Sequence, residues 1–275
     1  MEFIKNKLGY YQSQDTDFDL SYPEQGNEDC YEIEDNSHWF QARNLTIEAF
    51  IELHPFKGDF MDIGGGNGFQ VKSLNKGLFK RNKIRAVLCE PGVNGCINAA
   101  ERGLTDIYNC SYEQFPFDQH SIGGIGLFDV IEHIEDDVSF LKEIAQKLPI
   151  GGRIYIAVPA LNWLWSKEDE YAGHYRRYNV SETKRLIKST GLKCIYTSYF
   201  FSYYTLLVWL LRVLPEFMGL DKTNEESRNA ETNHHNNNSF VTRVLNVMHN
   251  IELSLQKIGI KPIFGTSRFI VLEKG

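Results

Sequence analysis

"FMDIGGGNGFQ", Phe60 to Gln70, sets four glycines in five positions directly behind a short apolar run that carries an acid, Asp62. The stretch reads as a strand, a tight turn and the start of a helix near Asn67. Glycines at Gly64, Gly66 and Gly68 let polar groups of a ligand approach the main chain. The helix start aims free N–H groups and its positive dipole end at the same place. An anionic or carboxylate-bearing ligand suits that spot. A dinucleotide fingerprint, G-x-G-x-x-G counted from Gly64, would need glycine at position 69, where the chain has Phe69.

Outward from this loop, strand-like apolar runs alternate with helix-like segments. "DFMDIGG", "IRAVLCE", "IYNC", "IGLFDVI" and "RIYIAVPA" are the runs, and helices begin near Asn67, Asn94 and Asp136. Strand, helix, strand in succession predicts an α/β fold with a parallel sheet covered by helices on both faces. A helix with Ser181 as its N-cap closes at Gly191, "LKCIYTSYFF" follows as a sixth strand, and "SRFIVLEKG" as a seventh that returns to the sheet edge. In front, "HWFQARNLTIEAFIELH" spaces Phe40, Ile47, Phe50 and Ile51 as an amphipathic helix. Residues 1–37, polar and without a sustained period, read as a loosely ordered arm. Residues 38–202 with 266–275 form the main domain, and 203–265 a helical insertion or lid with a polar loop at 222–239. That insertion holds "YYTLLVWLLRVLP" and a second amphipathic helix with Val241, Val244, Leu245, Met248, Ile251, Leu255 and Ile258 on one face. The run from Ile195 to Leu211 is too short and too polar for a transmembrane span and leaves open an in-plane membrane contact or a lid over an apolar substrate. His234 and His235, in an Asn-rich tract, belong to a solvated loop.

A chain of 275 residues, 42% hydrophobic, is long enough for a substantial core. A net charge of −7 argues against a sequence-independent grip on nucleic acid. The five cysteines are scattered without metal spacing and read as reduced thiols of a cytoplasmic protein. The first twenty residues lack the order of a secretion signal.

Asp62, Gly64, Gly66 and Gly68 resemble motif I of the class I S-adenosylmethionine-dependent methyltransferases. Glu90 ends the second strand, where that family keeps an acid whose two acceptor oxygens suit a ribose diol. "FDVIEHIEDDVSFLKEIAQKLPIGGRIYIAVP" resembles the family's fourth strand, helix and fifth strand. The resemblance implies a Rossmann-like, seven-stranded, mostly parallel sheet with an antiparallel last strand, S-adenosylmethionine as cofactor, and a site that includes Asp129. Ser111 stands where many relatives carry an acid facing the adenine amino group, so main-chain groups near Ser111 and Tyr112 are expected to share that contact. "HWFQAR" together with "GHYRRY" resembles a bacterial subgroup of methyltransferase-domain proteins, which implies that Trp39, Phe40 and Arg43 lie across the cofactor cleft.

For the chemistry, His133 and His174 are candidate general bases, and Arg176, Arg177 and Tyr178 candidate acceptor contacts. Asp129, Glu132, His133 and His174 resemble the sets with which small-RNA 2′-O-methyltransferases and ubiquinone-pathway O-methyltransferases hold a divalent ion, so a metal is a second possibility. The Asn/Asp-Pro-Pro-Tyr/Phe signature of nitrogen methylases is missing at "FDVIEH", which points to oxygen, a hydroxyl or carboxylate on a small or lipid-linked acceptor. An inactive cofactor-binding partner protein and an aminopropyl-transferring enzyme stay open as alternatives.

Overall fold

The computed structural model describes residues 3–13, 24–219 and 239–275. Nine strands form one sheet: β1 (Phe3–Lys5), β2 (Tyr11–Ser13), β3 (Asp59–Ile63), β4 (Ala86–Cys89), β5 (Ile107–Asn109), β6 (Ile122–Phe128), β7 (Arg153–Pro159), β8 (Lys193–Phe200) and β9 (Ser267–Glu273). Their order is β1-β2-β5-β4-β3-β6-β7-β9-β8. The run from β5 to β7 is parallel, and β9 runs antiparallel to both its neighbours. This is the α/β sheet read from the alternation of strands and helices, in the Rossmann-like, mostly parallel form that the resemblance implies.

Alternation along each strand splits the core into two layers. In β3, Phe60 joins the layer that also holds Leu88, Tyr155 and Phe269, whereas Met61 and Ile63 join Val87, Ile125 and Ile156 on the other face. The first layer is covered by α2 (His38–Leu53), α3 (Phe69–Lys76) and α5 (Val93–Glu101), with the short α4 (Leu78–Asn82) between the last two. The second is covered by α6 (Asp137–Lys147) and α8 (Val180–Thr190).

Four expectations are corrected. Residues 1–37 are not simply a loose arm: β1 and β2 extend the sheet beyond β5, with Phe3 edge-on to Tyr108 and Tyr11 stacked on it at 4.8 Å, and α1 (Glu24–Glu34) packs beside α5. Strands of three residues are too short to show a period. The sheet consequently has nine strands where seven were expected. The last strand does not return to the edge; β9 lies between β7 and β8, because its side chains are almost all buried while the outer half of β8 is partly exposed. Finally, α8 is capped by Asn179, whose N–H donates to Glu182 at 3.1 Å in a reciprocal box, so Ser181 lies inside the helix.

Between β8 and β9 lie α9 (Ser202–Val208), a π-helical turn (Trp209–Val213), α10 (Leu214–Phe217) and α11 (Ser239–Lys257). The short α7 (Lys167–Tyr171) precedes α8. The polar tract with His234 and His235 lies outside the described residues. Among the described residues, no helix is long and apolar enough to cross a membrane.

Candidate active site

The loop after β3 has the geometry its glycines allow. Gly64, Gly66 and Gly68 adopt φ of 66°, 51° and 68°, the left-handed region where a Cβ is costly. Gly65 is held by space instead: a Cβ there would stand 2.5 Å from Asp62 Oδ2 and 2.5 Å from Leu88 Cδ1. Asp62 is 1% exposed, and neither of its carboxylate oxygens has a hydrogen-bond partner. Burial raises its pKa to about 7, with Glu90 adding to the rise and Arg43 opposing it. An acceptor buried at such a cost fits a ligand that brings a donor or a cation.

Glu90 follows β4 and is buried. Its Oε2 accepts the Gly66 N–H at 2.8 Å and its Oε1 the Gly92 N–H at 2.7 Å. Burial nevertheless raises it to about 7, against the lowering effect of those two N–H groups. Each oxygen keeps lone-pair capacity for a diol. Ser111 is half-buried after β5, its carbonyl accepting the Gln114 N–H at 3.2 Å. The Tyr112 side chain is spent elsewhere: its hydroxyl donates to Glu143 at 2.5 Å and its ring packs on Phe140.

The amino-terminal helices lie alongside this loop. Arg102 Nη1 bonds both Glu34 of α1 at 2.5 Å and the Asn67 carbonyl at 3.0 Å, and Lys72 pairs with Asp35 at 2.9 Å. From α2, Arg43 pairs with Asp129 Oδ2 at 2.5 Å and stacks over Trp39 at 5.7 Å. Asp129 itself takes φ 58°, unusual for a residue with a Cβ, and anchors its N–H on the Ala157 carbonyl at 2.8 Å. Asn44 and Gln70, buried beside the loop with unpartnered amide atoms, were not singled out from the sequence. Nothing in an isolated amide of a helix marks it as facing a cleft.

Beyond Asp129, the end of β6 and the loop after β7 meet. The Tyr175 N–H donates to the Glu132 carbonyl at 2.8 Å. That brings His174 against His133, ring centroids 4.7 Å apart at 75°. Glu132 is fully buried and neither carboxylate oxygen is hydrogen-bonded; burial first, then Asp129, pushes its pKa well up. Burial, reinforced by His174, lowers His133 to about 4 and keeps it uncharged at neutral pH. One ligand atom from each of Glu132, His133 and His174 falls within 4.8 Å of the others, a set that could hold a cation. Asp129 is not in that set and pairs with Arg43 instead.

Asp169 of α7 was likewise not singled out from the sequence. It is 1% exposed, receives His174 Nδ1 at 2.8 Å, and binds Arg177 bidentately through Nε and Nη2, both at 2.8 Å. Burial would raise this acid, but the hydrogen bonds from His174 and Arg177 outweigh it and hold the pKa below its usual value. Five positions before His174, Asp169 looks in sequence like one acid in "KEDE". Two of the expected acceptor contacts are engaged within the protein. Arg177 is buried on Asp169 and the Ala160 carbonyl, and Tyr178 is fully buried with its hydroxyl on Asp137 at 2.9 Å. Arg176 donates to the carbonyls of Ile134 and Glu135 and faces a separate cleft of about 640 Å³, lined also by Trp165, Tyr175 and Arg185. That cleft includes none of the glycine loop, Glu90 or His133.

Residues 61–156 match the family model described as methyltransferase domain. No curated protein matches the chain. Among solved structures, phosphoethanolamine N-methyltransferase 2 of Haemonchus contortus, in complex with S-adenosyl-L-methionine, superposes with a TM-score of 0.51 at 19% identity. The match covers 84% of this chain and 52% of that one, so the chain spans about half the length of that enzyme. A possible histamine N-methyltransferase of Thermotoga maritima gives 0.52 at 14% identity, covering 91% and 95%. The plantazolicin methyltransferase BamL, solved with S-adenosylhomocysteine (SAH) and a triazolic desmethylPZN analogue, gives 0.54 at 15% identity, covering 92% of each chain. These likenesses show a common fold.

Proposed function

We infer that this chain, which carries an S-adenosylmethionine-dependent methyltransferase domain, moves a methyl group onto an oxygen, the hydroxyl or carboxylate of a small or lipid-linked acceptor. The residues fit the cofactor. The unpartnered oxygens of Asp62 match an ammonium, Glu90 a ribose diol, the start of α3, which no side chain caps, a carboxylate, and the main chain at Ser111 and Tyr112 a base edge. S-adenosylmethionine, when bound, supplies a methyl on a sulfonium whose charge disappears on transfer, so a water-poor cleft favours the step. Glu34, Asp35 and Arg102 fasten α1 beside the loop, and the Arg43–Asp129 pair holds α2 across it, which limits the entry of water.

The observation that carries the oxygen reading is the Asp169–His174 pair. With Asp169 locked by Arg177, His174 donates its Nδ1 proton to the carboxylate, which leaves Nε2 as an acceptor. Nε2 can take the proton of a hydroxyl as the methyl arrives, and Asp169 stabilises the resulting imidazolium. A carboxylate acceptor is already ionised and needs no base. His174→Ala should therefore lower kcat on a hydroxyl acceptor by roughly 10²- to 10⁴-fold while sparing a carboxylate one. A methyl-label screen over hydroxyl, carboxylate and amine compounds tests this. Preference for amines with full turnover in His174→Ala would sink it.

The buried, unbonded carboxylate of Glu132 favours a second reading, in which Glu132, His133 and His174 hold a divalent cation that lowers the pKa of an acceptor hydroxyl. Turnover abolished by a chelator and restored by Mg²⁺, Mn²⁺ or Zn²⁺ would support it; unchanged turnover leaves His174 as the base.

A further inference from the structure

Arg268 is a buried cation without an anion. It stands second in β9, opposite Val158 of β7 and Tyr199 of β8, and is 6% exposed. Its Nε donates to Thr197 Oγ1 at 3.1 Å and its guanidinium lies 4.4 Å from the centre of the Tyr199 ring. Its Nη1 is buried with no hydrogen-bond partner. Comparably enclosed guanidiniums elsewhere are all paired, Arg43 with Asp129, Arg102 with Glu34 and Asp35, and Arg177 with Asp169. An unpaired charge in the interior is costly. Burial accordingly lowers the pKa of Arg268, with Tyr199 and Cys194 opposing.

The acids on the elements around it are engaged elsewhere. Glu252 of α11 accepts the N–H groups of Phe201 and Ser202, and Glu273, at the far end of β9, takes Arg153 and Lys193. Asp169 holds Arg177 and His174, and Glu168 pairs with Arg212 of the π-helical turn. Thr197 instead brings a second cation, since its carbonyl accepts from Lys261 Nζ at 3.0 Å. Burial raises the pKa of the Cys194 thiol against the pull of Lys261 and Arg268, so it supplies no charge.

A second donor lies two residues before Arg268. The main chain of Thr266 bonds to Ala160 on one side and Phe201 on the other, and its buried hydroxyl has no partner. Residues two apart along a strand leave the sheet on the same face. Beside them, Val208, Trp209 and Val213 pack over Tyr199, Leu161 and Leu164, which gives the place an apolar margin. A carboxylate brings one negative charge and two acceptor oxygens, one for the guanidinium and one for the hydroxyl, and an organic acid brings hydrocarbon for that margin. We propose that Arg268 and Thr266 form a binding site for the carboxylate of a small organic acid at the C-terminal end of β7. It shares no residue with the glycine loop, Glu90 or the His133–His174 pair, and it does not rest on the reaction assigned above.

Thermal melts of the whole protein test it, at one ionic strength held with sodium chloride, against sodium butyrate, its neutral amide butyramide, and sodium phosphate. Butyrate should raise the wild-type melting temperature saturably, by on the order of 4 °C at about ten times its dissociation constant. Butyramide should give no shift, and phosphate a smaller one. Arg268→Met should abolish the butyrate shift, and Thr266→Val should weaken butyrate binding by roughly tenfold. Without butyrate, Arg268→Met should melt no lower than the wild type, because an unpaired buried charge gives way to an apolar side chain. A guanidinium with a purely structural role would make that variant melt lower. That result, the absence of a saturable butyrate shift in the wild type, an equal shift with butyramide or phosphate, or a shift retained in Arg268→Met would each overturn the proposal.

Discussion

Glu90→Gln keeps the shape of the side chain and removes its charge. In the wild type, both oxygens accept main-chain N–H groups, at 2.8 Å from Gly66 and 2.7 Å from Gly92. The amide keeps one acceptor and turns an NH₂ donor toward the other N–H, so a charge-assisted bond is lost and two donors oppose each other. A bond to an ionised group contributes about 1.5–3 kcal/mol, so S-adenosylmethionine should bind roughly ten- to two-hundredfold more weakly at about pH 8. The loss should depend on pH. Because burial raises Glu90 to about 7, the wild type increasingly carries a proton there below that pH and comes to resemble the amide. The ratio of the two dissociation constants, variant over wild type, should therefore shrink by up to about tenfold per pH unit below 7, approaching one. Stability has the opposite sign. An acid raised in the folded state binds more protons folded than unfolded between its usual pKa and 7, so the unliganded wild type loses stability as pH rises through that window, and the amide loses less, since Asp62, also raised to about 7, still titrates there. Titration calorimetry across this range, with melting curves of the unliganded proteins, decides the matter. Equal affinities at about pH 8, or a ratio that does not change with pH, would refute the role given to the Glu90 carboxylate.

Gly65→Ala should overpack the turn by about 1–3 kcal/mol, since its Cβ meets Asp62 Oδ2 and Leu88 Cδ1 at 2.5 Å, and the variant should lose the thermal shift that S-adenosylmethionine gives the wild type; a retained shift would place the ligand elsewhere. Arg177→Leu leaves the Asp169 carboxylate buried with one partner fewer, at a cost of about 3–5 kcal/mol, so the melting temperature should fall by on the order of 10 °C. A normal melting temperature there would return Arg177 to the acceptor site, contrary to its buried bidentate geometry.

The loop and its acid were legible because their causes are local. Left-handed φ at Gly64, Gly66 and Gly68 and the close packing at Gly65 leave a run of glycines in the text, and Glu90 is placed by the end of the next strand. The acceptor side was harder to read. Arg177 and Tyr178 look like loop residues in sequence, but the loop folds back so that Tyr178 reaches Asp137, 41 positions away, and Arg177 reaches Asp169. Asp169 could be recognised only once His174 had been brought against it.

By itself the sequence determined the alternation of strands and helices, the glycine turn and the amphipathic character of α11, since each depends on neighbours within a few residues along the chain. Tertiary structure decided the rest. Placing β9 between β7 and β8 depends on which edge could bury both its faces, and pairing His133 with His174 depends on two loops meeting at the end of β6. For α11, a helical period is the same whichever way the helix is turned about its axis. Only the bonds from Glu252 and Gln256 to the chain around residues 199–202 settle that its apolar stripe faces out.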